Sequence, residues 1–222
     1  MPALERSWSI IVLCFNEKGT LSPVVGQTRE VLKELTTAPC EILVVDDGST
    51  DGSAEVLSRL EAEVPELRRI THPRNLGIGK SLRSGYAAAR FENVCAIPAD
   101  GQFDLKELLA VADLPERSFA SFRRGLRPQY SLTRQLLSRF NRLLNLLLFG
   151  FDVKDVNWVA VFKKEALEEV EIQLESLLVE SEIMIKLLLA GYRCVEVPSV
   201  YHPRVSGVSQ GASLKSIGLA VR

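Results

Sequence analysis

The sequence predicts an α/β domain built on a mostly parallel central sheet. Short apolar runs of strand length alternate with amphipathic stretches of helix length over the first hundred residues. Three of those runs stop at polar, acidic loops: Asn16-Glu17, Asp46-Asp47-Gly48-Ser49 and Asp100-Gly101-Gln102. The chain has 222 residues, 46% hydrophobic and 25% charged, enough for one domain with a sizeable core.

The elements follow in order. Ser9–Phe15 (SIIVLCF) is expected to be a buried strand, followed by a helix from about Thr20 to Leu35. Glu41–Val45 (EILVV) is the second strand and Ser53–Val64 the second helix. Leu67–Thr71 is a weaker strand, Gly77–Arg90 a third helix rich in Ala and Leu, and Val94–Pro98 a fourth strand. In such sheets ligands bind beyond the carboxyl ends of the strands, where the three acidic loops fall. Carboxylates gathered at one edge repel unless something positive, most simply a divalent metal, sits among them. After residue 104 the pattern changes. Arg134–Leu148 reads as a helix with an apolar stripe and a polar face of Arg134, Ser138, Asn141 and Asn145. Val156–Phe162 is expected to be a strand, Glu180–Ala190 a helix and Cys194–Val197 a strand.

A formal net charge of −1 hides an uneven distribution. Arg117 to Phe151 holds seven arginines (117, 123, 124, 127, 134, 139 and 142) and no Asp, Glu or Lys, which leaves −8 for the rest. Such a segment implies phosphate, nucleic acid or an anionic membrane surface as a partner. Nucleic-acid motifs are missing from it, which argues against nucleic acid. Cys14, Cys40, Cys95 and Cys194 lie far apart with no C-x-x-C, so reduced, intracellular thiols and no zinc site are expected. The N-terminus lacks the pattern of a signal peptide, and no stretch approaches the ~18 apolar residues of a spanning helix. The chain is therefore expected to be cytoplasmic, and peripheral to the inner face of a membrane if it meets one.

Three familiar motifs fail on spacing. Gly79-Lys80-Ser81 resembles the end of a P-loop, but Arg74 stands where the first glycine belongs. Gly77-Ile-Gly79 lacks the third glycine of a dinucleotide fingerprint, since position 82 is Leu. Asp47 to Gly52 echoes a calcium loop whose closing Glu would fall on Ser58.

The pieces that remain are IIVLCFNE (10–17), EILVVDDGSTDGS (41–53), NLGIGKSLRSGYAAAR (75–90), ADGQFD (99–104), RQLLSRFN (134–141), DVNW (155–158) and YHPRVSGVS (201–209). Together and in this order they resemble family 2 glycosyltransferases of the GT-A fold, in the dolichol-phosphate mannose synthase and polyprenyl-phosphate glycosyltransferase branch. The likeness covers about residues 8 to 210. It implies a single domain over 1–222, with a nucleotide-sugar-binding half at about 8–104, an acceptor-binding half at about 105–210 and a tail at 211–222.

The resemblance implies inverting transfer of a sugar from a nucleotide-diphosphate sugar (UDP- or GDP-linked), with Mg2+ or Mn2+. By position, Leu13, Phe15, Glu17 and Asp47 would line the base and ribose pocket, and Asp46 would brace its loop. Lys80 and Arg204 would reach donor phosphates. In this family the fourth strand normally ends Asp-x-Asp, and here Pro98 stands in place of the first acid. Asp100 and Gln102, the remaining pair, would hold the metal, since hard cations take oxygen ligands. Weaker metal affinity is the expected consequence of Pro98.

On the acceptor side, the resemblance assigns Arg134 and Ser138 to the phosphate of a polyprenyl phosphate, and their i, i+4 spacing puts both on one helix face. Arg123 matches a second phosphate-binding arginine. Asp155 matches an acid near the reacting sugar, with a positioning or metal-supporting role, so Asp100, Arg134 and Asp155 form the expected catalytic set. His202 is expected to be structural. A phosphate acceptor is already ionised and needs no strong base. Two alternatives stay open: the same donor with a hydroxyl acceptor and Asp155 as base, or a non-catalytic nucleotide- or lipid-phosphate-binding descendant. Where relatives carry Gly-Phe or Lys after the acid, this chain reads VNWVAVFKK, which leaves the sugar open.

Overall fold

A computed structural model describes residues 5–124, 155 and 158–203. Its elements run β1 (Trp8–Cys14), α1 (Leu21–Leu35), β2 (Cys40–Asp46), α2 (Ser53–Glu63), β3 (Leu67–Thr71), α3 (Ile78–Ala88) and β4 (Asn93–Pro98). A 3-10 helix (Leu105–Val111), β5 (Ser118–Arg124), β6 (Ala160–Lys163), α4 (Lys164–Glu168), α5 (Val179–Leu189) and β7 (Arg193–Ser199) follow. The helix expected over Arg134–Leu148 lies outside the described residues.

The seven strands of the described residues join one sheet in the order β3-β2-β1-β4-β6-β5-β7. β3, β2, β1 and β4 are mutually parallel, β5 and β7 pair in parallel, and β6 alone runs antiparallel to its neighbours β4 and β5. Strand order reverses at the β1–β4 seam, where an open α/β sheet leaves a crevice at its carboxyl edge.

Both faces are covered, which explains why β1 and β2 read as unbroken apolar runs. Ile10, Val12, Ile42, Val44, Cys95 and Ile97 face α1, α2 and the 3-10 helix, whereas Ile11, Leu43, Val45, Val94 and Ala96 face α3 and α5. On α1 the buried positions Leu21, Val24, Val25, Thr28, Val31, Leu32 and Leu35 fall at helical spacing, the stripe that docks it. Gly85 of α3 sits against the sheet because a Cβ there would come 2.6 Å from Ile11 Cγ2.

Up to residue 104 the elements match expectation to within one or two residues at their ends, and the larger differences lie after it. β5 (SFASFRR) is short, and its alternation places Ala120 and Phe122 in one core and Phe119 in the other. Of the strand expected over Val156–Phe162, the described part is β6, Ala160–Lys163. The last helix and strand start one residue earlier than expected, at Val179 and Arg193. The four cysteines are free, and burial pushes the Cys14 thiol up to about 12. No helix among the described residues is long and apolar enough to cross a membrane.

Candidate active site

The loops after β1, β2 and β4 meet at the carboxyl edge of the sheet. Leu13 lies opposite Pro98, and Cys14 opposite Asp46, in the parallel registers that bring those loops side by side. The first two are laced together. The Asn16 N–H donates to Ser49 Oγ (3.0 Å), the Glu17 N–H to Ser53 Oγ (3.0 Å), and the Thr50 N–H to Asn16 Oδ1 (2.8 Å). Asn16 holds φ 56°, a left-handed conformation that Asn tolerates better than most residues. Glu17 is buried and accepts from Thr20 Oγ1 at 2.9 Å, so it braces the start of α1; Leu13 and Phe15 are half-buried.

Asp46 braces its turn as expected, its Oδ1 accepting the Ser49 N–H at 3.0 Å. Asp47 does more. Its Oδ1 accepts the Leu76 N–H (2.9 Å) and pairs with His72 Nδ1 (2.7 Å), while Oδ2 accepts the Gly77 N–H (2.8 Å). His72 Nε2 in turn meets Ser84 Oγ of α3 at 2.9 Å. Asp47 is thus the hub that ties the 72–77 loop to β2. The motif reading missed His72, although Asp46 pairs with Thr71 and the next residue along each strand is Asp47 or His72.

At the end of β4, Ala99 N–H donates to Leu13 O (2.9 Å). Alternation along the strand turns position 98 the other way, beyond the last β4–β6 pair, Cys95 with Val161, so Pro98 costs the sheet no hydrogen bond. Asp100 is buried, and its Oδ1 accepts the Gln102 N–H (3.0 Å) across Gly101, whose φ of 73° makes the turn. The Gln102 side chain is clamped by the C-terminal segment. Its Nε2 donates to the Tyr201 hydroxyl and, at 3.5 Å, to the His202 carbonyl, while His202 N–H returns a 3.0 Å bond to Gln102 O. A backbone carbonyl only accepts, so the amide nitrogen faces that segment and Oε1 is turned from it. A carboxylate and an amide oxygen two residues apart on one tight turn suit a hard cation whose other ligands are phosphate oxygens and water. Among the described residues no group of three or more His, Cys, Asp or Glu is placed to hold a metal.

Asp155 forms a fork with Arg124: Nε to Oδ2 at 2.6 Å and Nη2 to Oδ1 at 2.8 Å. Arg124 also lies over the Trp158 ring, 4.8 Å from its centroid, and the Trp158 indole N–H donates to Ser199 Oγ at 3.1 Å. Arg123, the motif match, falls on the opposite face of β5 from Arg124. Lys80 is engaged by Glu175 (3.1 Å). Gly79 explains that closeness: a Cβ there would lie 2.2 Å from Glu175 O. Arg134, Ser138 and Arg204 lie outside the described residues.

Glu180 is a further acid, carried by no motif. Glu180, in the first turn of α5, accepts the Tyr86 hydroxyl at 2.9 Å, and burial pushes its carboxyl up from 4.5 to about 8, with the Asp155 charge adding to the rise. Its folded pKa is raised, so protonated Glu180 favours the fold and that contribution is lost as pH climbs from about 4.5 to about 8. Glu180→Gln is therefore expected to flatten the decline in melting temperature between pH 5 and pH 9. An unchanged decline would mean that Glu180 titrates normally.

Comparison with known proteins places these observations. The family model for glycosyl transferase family 2 matches residues 9–170. The dolichyl-phosphate beta-glucosyltransferase ALG5C of Trichomonas vaginalis is 28% identical over 103 residues, which is 45% of this chain and 31% of that protein. The chain thus spans about a third of that relative's length. Among solved structures, the mannosyltransferase PcManGT of Pyrobaculum calidifontis, in complex with GDP-Man and Mn2+, superposes with a TM-score of 0.62 at 20% identity, over 92% of this chain and 59% of that one. Mannosyl-3-phosphoglycerate synthase of Rubrobacter xylanophilus reaches 0.66 at 18% identity, over 96% and 69%. These two likenesses establish a shared GT-A architecture. With the family model spanning 9–170 of its 222 residues, the chain belongs to glycosyl transferase family 2.

Proposed function

We propose that this chain transfers a sugar from a nucleotide-diphosphate sugar to a polyprenyl phosphate at a membrane surface, with inversion at the anomeric carbon and with Mg2+ or Mn2+. The observation that carries the reading is the convergence of the Asp47, Glu17 and Asp100–Gln102 loops at the switch point of the sheet. A donor complex with GDP-Man and Mn2+ in PcManGT supports it, as does a dolichyl-phosphate transferase among the relatives.

In this reading residues 13–17, Asp47 and the 72–77 loop take the nucleoside, and Lys80 and Arg204 face the diphosphate. Asp100 and Gln102 Oε1 hold the divalent cation, which when bound supplies neutralisation of the leaving nucleoside diphosphate. Arg134 and Ser138 grip the acceptor phosphate, with Arg123 and the arginine-rich segment drawing it to the anionic surface. Asp155 is held by Arg124, which keeps a charged carboxylate beside the reaction centre without letting it swing. Catalysis then rests on alignment and charge, because the phosphate acceptor is its own nucleophile.

A second reading keeps the same donor and takes a hydroxyl acceptor, with Asp155, whose carboxyl Arg124 fixes in place, as the base that such an acceptor requires. Labelled UDP- and GDP-sugars offered with a short polyprenyl phosphate, with 3-phosphoglycerate and with a simple glycoside separate the two. Glycolipid formation with Mn2+ but not with EDTA, and its loss in Arg134→Ala, is the expected result. Product only on a hydroxyl-bearing acceptor would establish the second reading instead.

A further inference from the structure

We propose that His72 is a positioning residue that sets the affinity of the donor pocket by holding Asp47 and the 72–77 loop in register; the inference rests on the nucleotide-sugar reading above. His72 and Asp47 are both buried, with 8% and 4% of their surface exposed, and joined at 2.7 Å. A carboxylate accepts only, so His72 Nδ1 carries the proton in this bond whatever the charge of the ring. Nε2 is anchored on Ser84 Oγ at 2.9 Å. The imidazole therefore bridges the carboxyl end of β2 to helix α3, with one nitrogen committed to each.

The bridge governs the shape of the loop between them. Leu76 N–H and Gly77 N–H both point at Asp47, and the His72 N–H itself donates to Asp46 O at 2.9 Å. Three donors on one carboxylate leave it about one further lone-pair direction, on Oδ2. Asp47 thus offers an incoming ligand a single acceptor position, aimed by its protein partners. Without His72, Oδ1 keeps only Leu76 N–H, and the carboxylate gains rotational freedom at the point where the ligand must meet it. The 72–77 loop also lies hard on the turn after β2, since a Cβ on Gly48 would come 2.4 Å from the Arg74 carbonyl carbon. The loop is placed by contact on one side and by the Asp47–His72 pair on the other.

The test is equilibrium binding of UDP and GDP in Mn2+, with transfer kinetics, for wild type, His72→Phe, His72→Gln and Ser84→Ala. His72→Phe is expected to raise the nucleotide Kd and donor KM by about tenfold while kcat changes less than about threefold. His72→Gln, which restores a donor toward Asp47, should recover much of that loss, and Ser84→Ala should show a smaller rise of the same kind. The wild-type imidazole Nδ1 proton should give a downfield NMR resonance that moves on adding the nucleotide. That readout stands even where His72→Phe fails to fold. Wild type that binds nucleotide, with unchanged affinity in a folded His72→Phe or with a resonance indifferent to nucleotide, overturns the inference alone. Wild type that binds neither UDP nor GDP overturns the donor reading, and the inference with it.

Discussion

Asp100→Asn is expected to lower sugar transfer by about a hundredfold or more while leaving the fold intact. The asparagine still accepts the Gln102 N–H through its amide oxygen, so the turn across Gly101 survives. What disappears is the one negative charge that β4 delivers to the crevice. Pro98 makes that charge unusually important. In a chain with an acid at both ends of the Asp-x-Asp pattern, loss of one leaves another, but here position 98 offers no carboxylate and no N–H. The check is kcat/KM for the wild type and Asp100→Asn over a range of Mn2+ concentrations. A variant within about threefold of wild type would remove Asp100 from the site.

Gly48→Ala should cost stability and donor binding together. Gly48 holds φ 72°, a region that costs an L-residue about 1–2 kcal/mol, and an added Cβ would meet the Arg74 and Asn75 backbone at 2.4–2.8 Å. Backbone cannot step aside as a side chain can, so the 72–77 loop must move, and the bonds from Leu76 and Gly77 to Asp47 lengthen. A total loss of about 2 kcal/mol or more in urea unfolding is expected, with weaker nucleotide binding by the folded fraction. Gly77→Ala is the contrast. It has a positive φ of 92° but no atom within 4 Å of an added Cβ, so it pays for conformation alone. Equal effects of the two substitutions would contradict the packing account.

The first hundred residues are legible in the sequence because local pattern and tertiary role coincide there. Apolar runs set by two-sided burial marked β1, β2 and β4, and the acids closing them marked the crevice. Asp46 and Asp47 sit side by side in sequence, yet one closes a turn and the other gathers three partners from residues 72 to 77; only strand register separates them. His72 carries no motif, and its role comes from lying next to Asp47 across a parallel pair. Glu180 was hidden for a different reason. One Glu among several at a helix start looks solvated, and it takes the folded chain's burial of that carboxyl, with the Asp155 charge adding to it, to raise its pKa. β5 escaped because seven residues ending in Arg123 and Arg124 read as part of a basic segment, whereas Arg124 is turned inward onto Asp155 and Trp158.

The account stands on one claim above the others: that the Asp100–Gln102 turn and a nucleoside diphosphate bind a divalent cation together. Isothermal titration of UDP and of GDP, each with Mn2+ and with EDTA, measures that coupling without needing the acceptor. The account predicts that Mn2+ tightens binding of one nucleotide by about tenfold or more in the wild type and has little effect in Asp100→Asn. Equal affinities with Mn2+ and with EDTA in the wild type would contradict it.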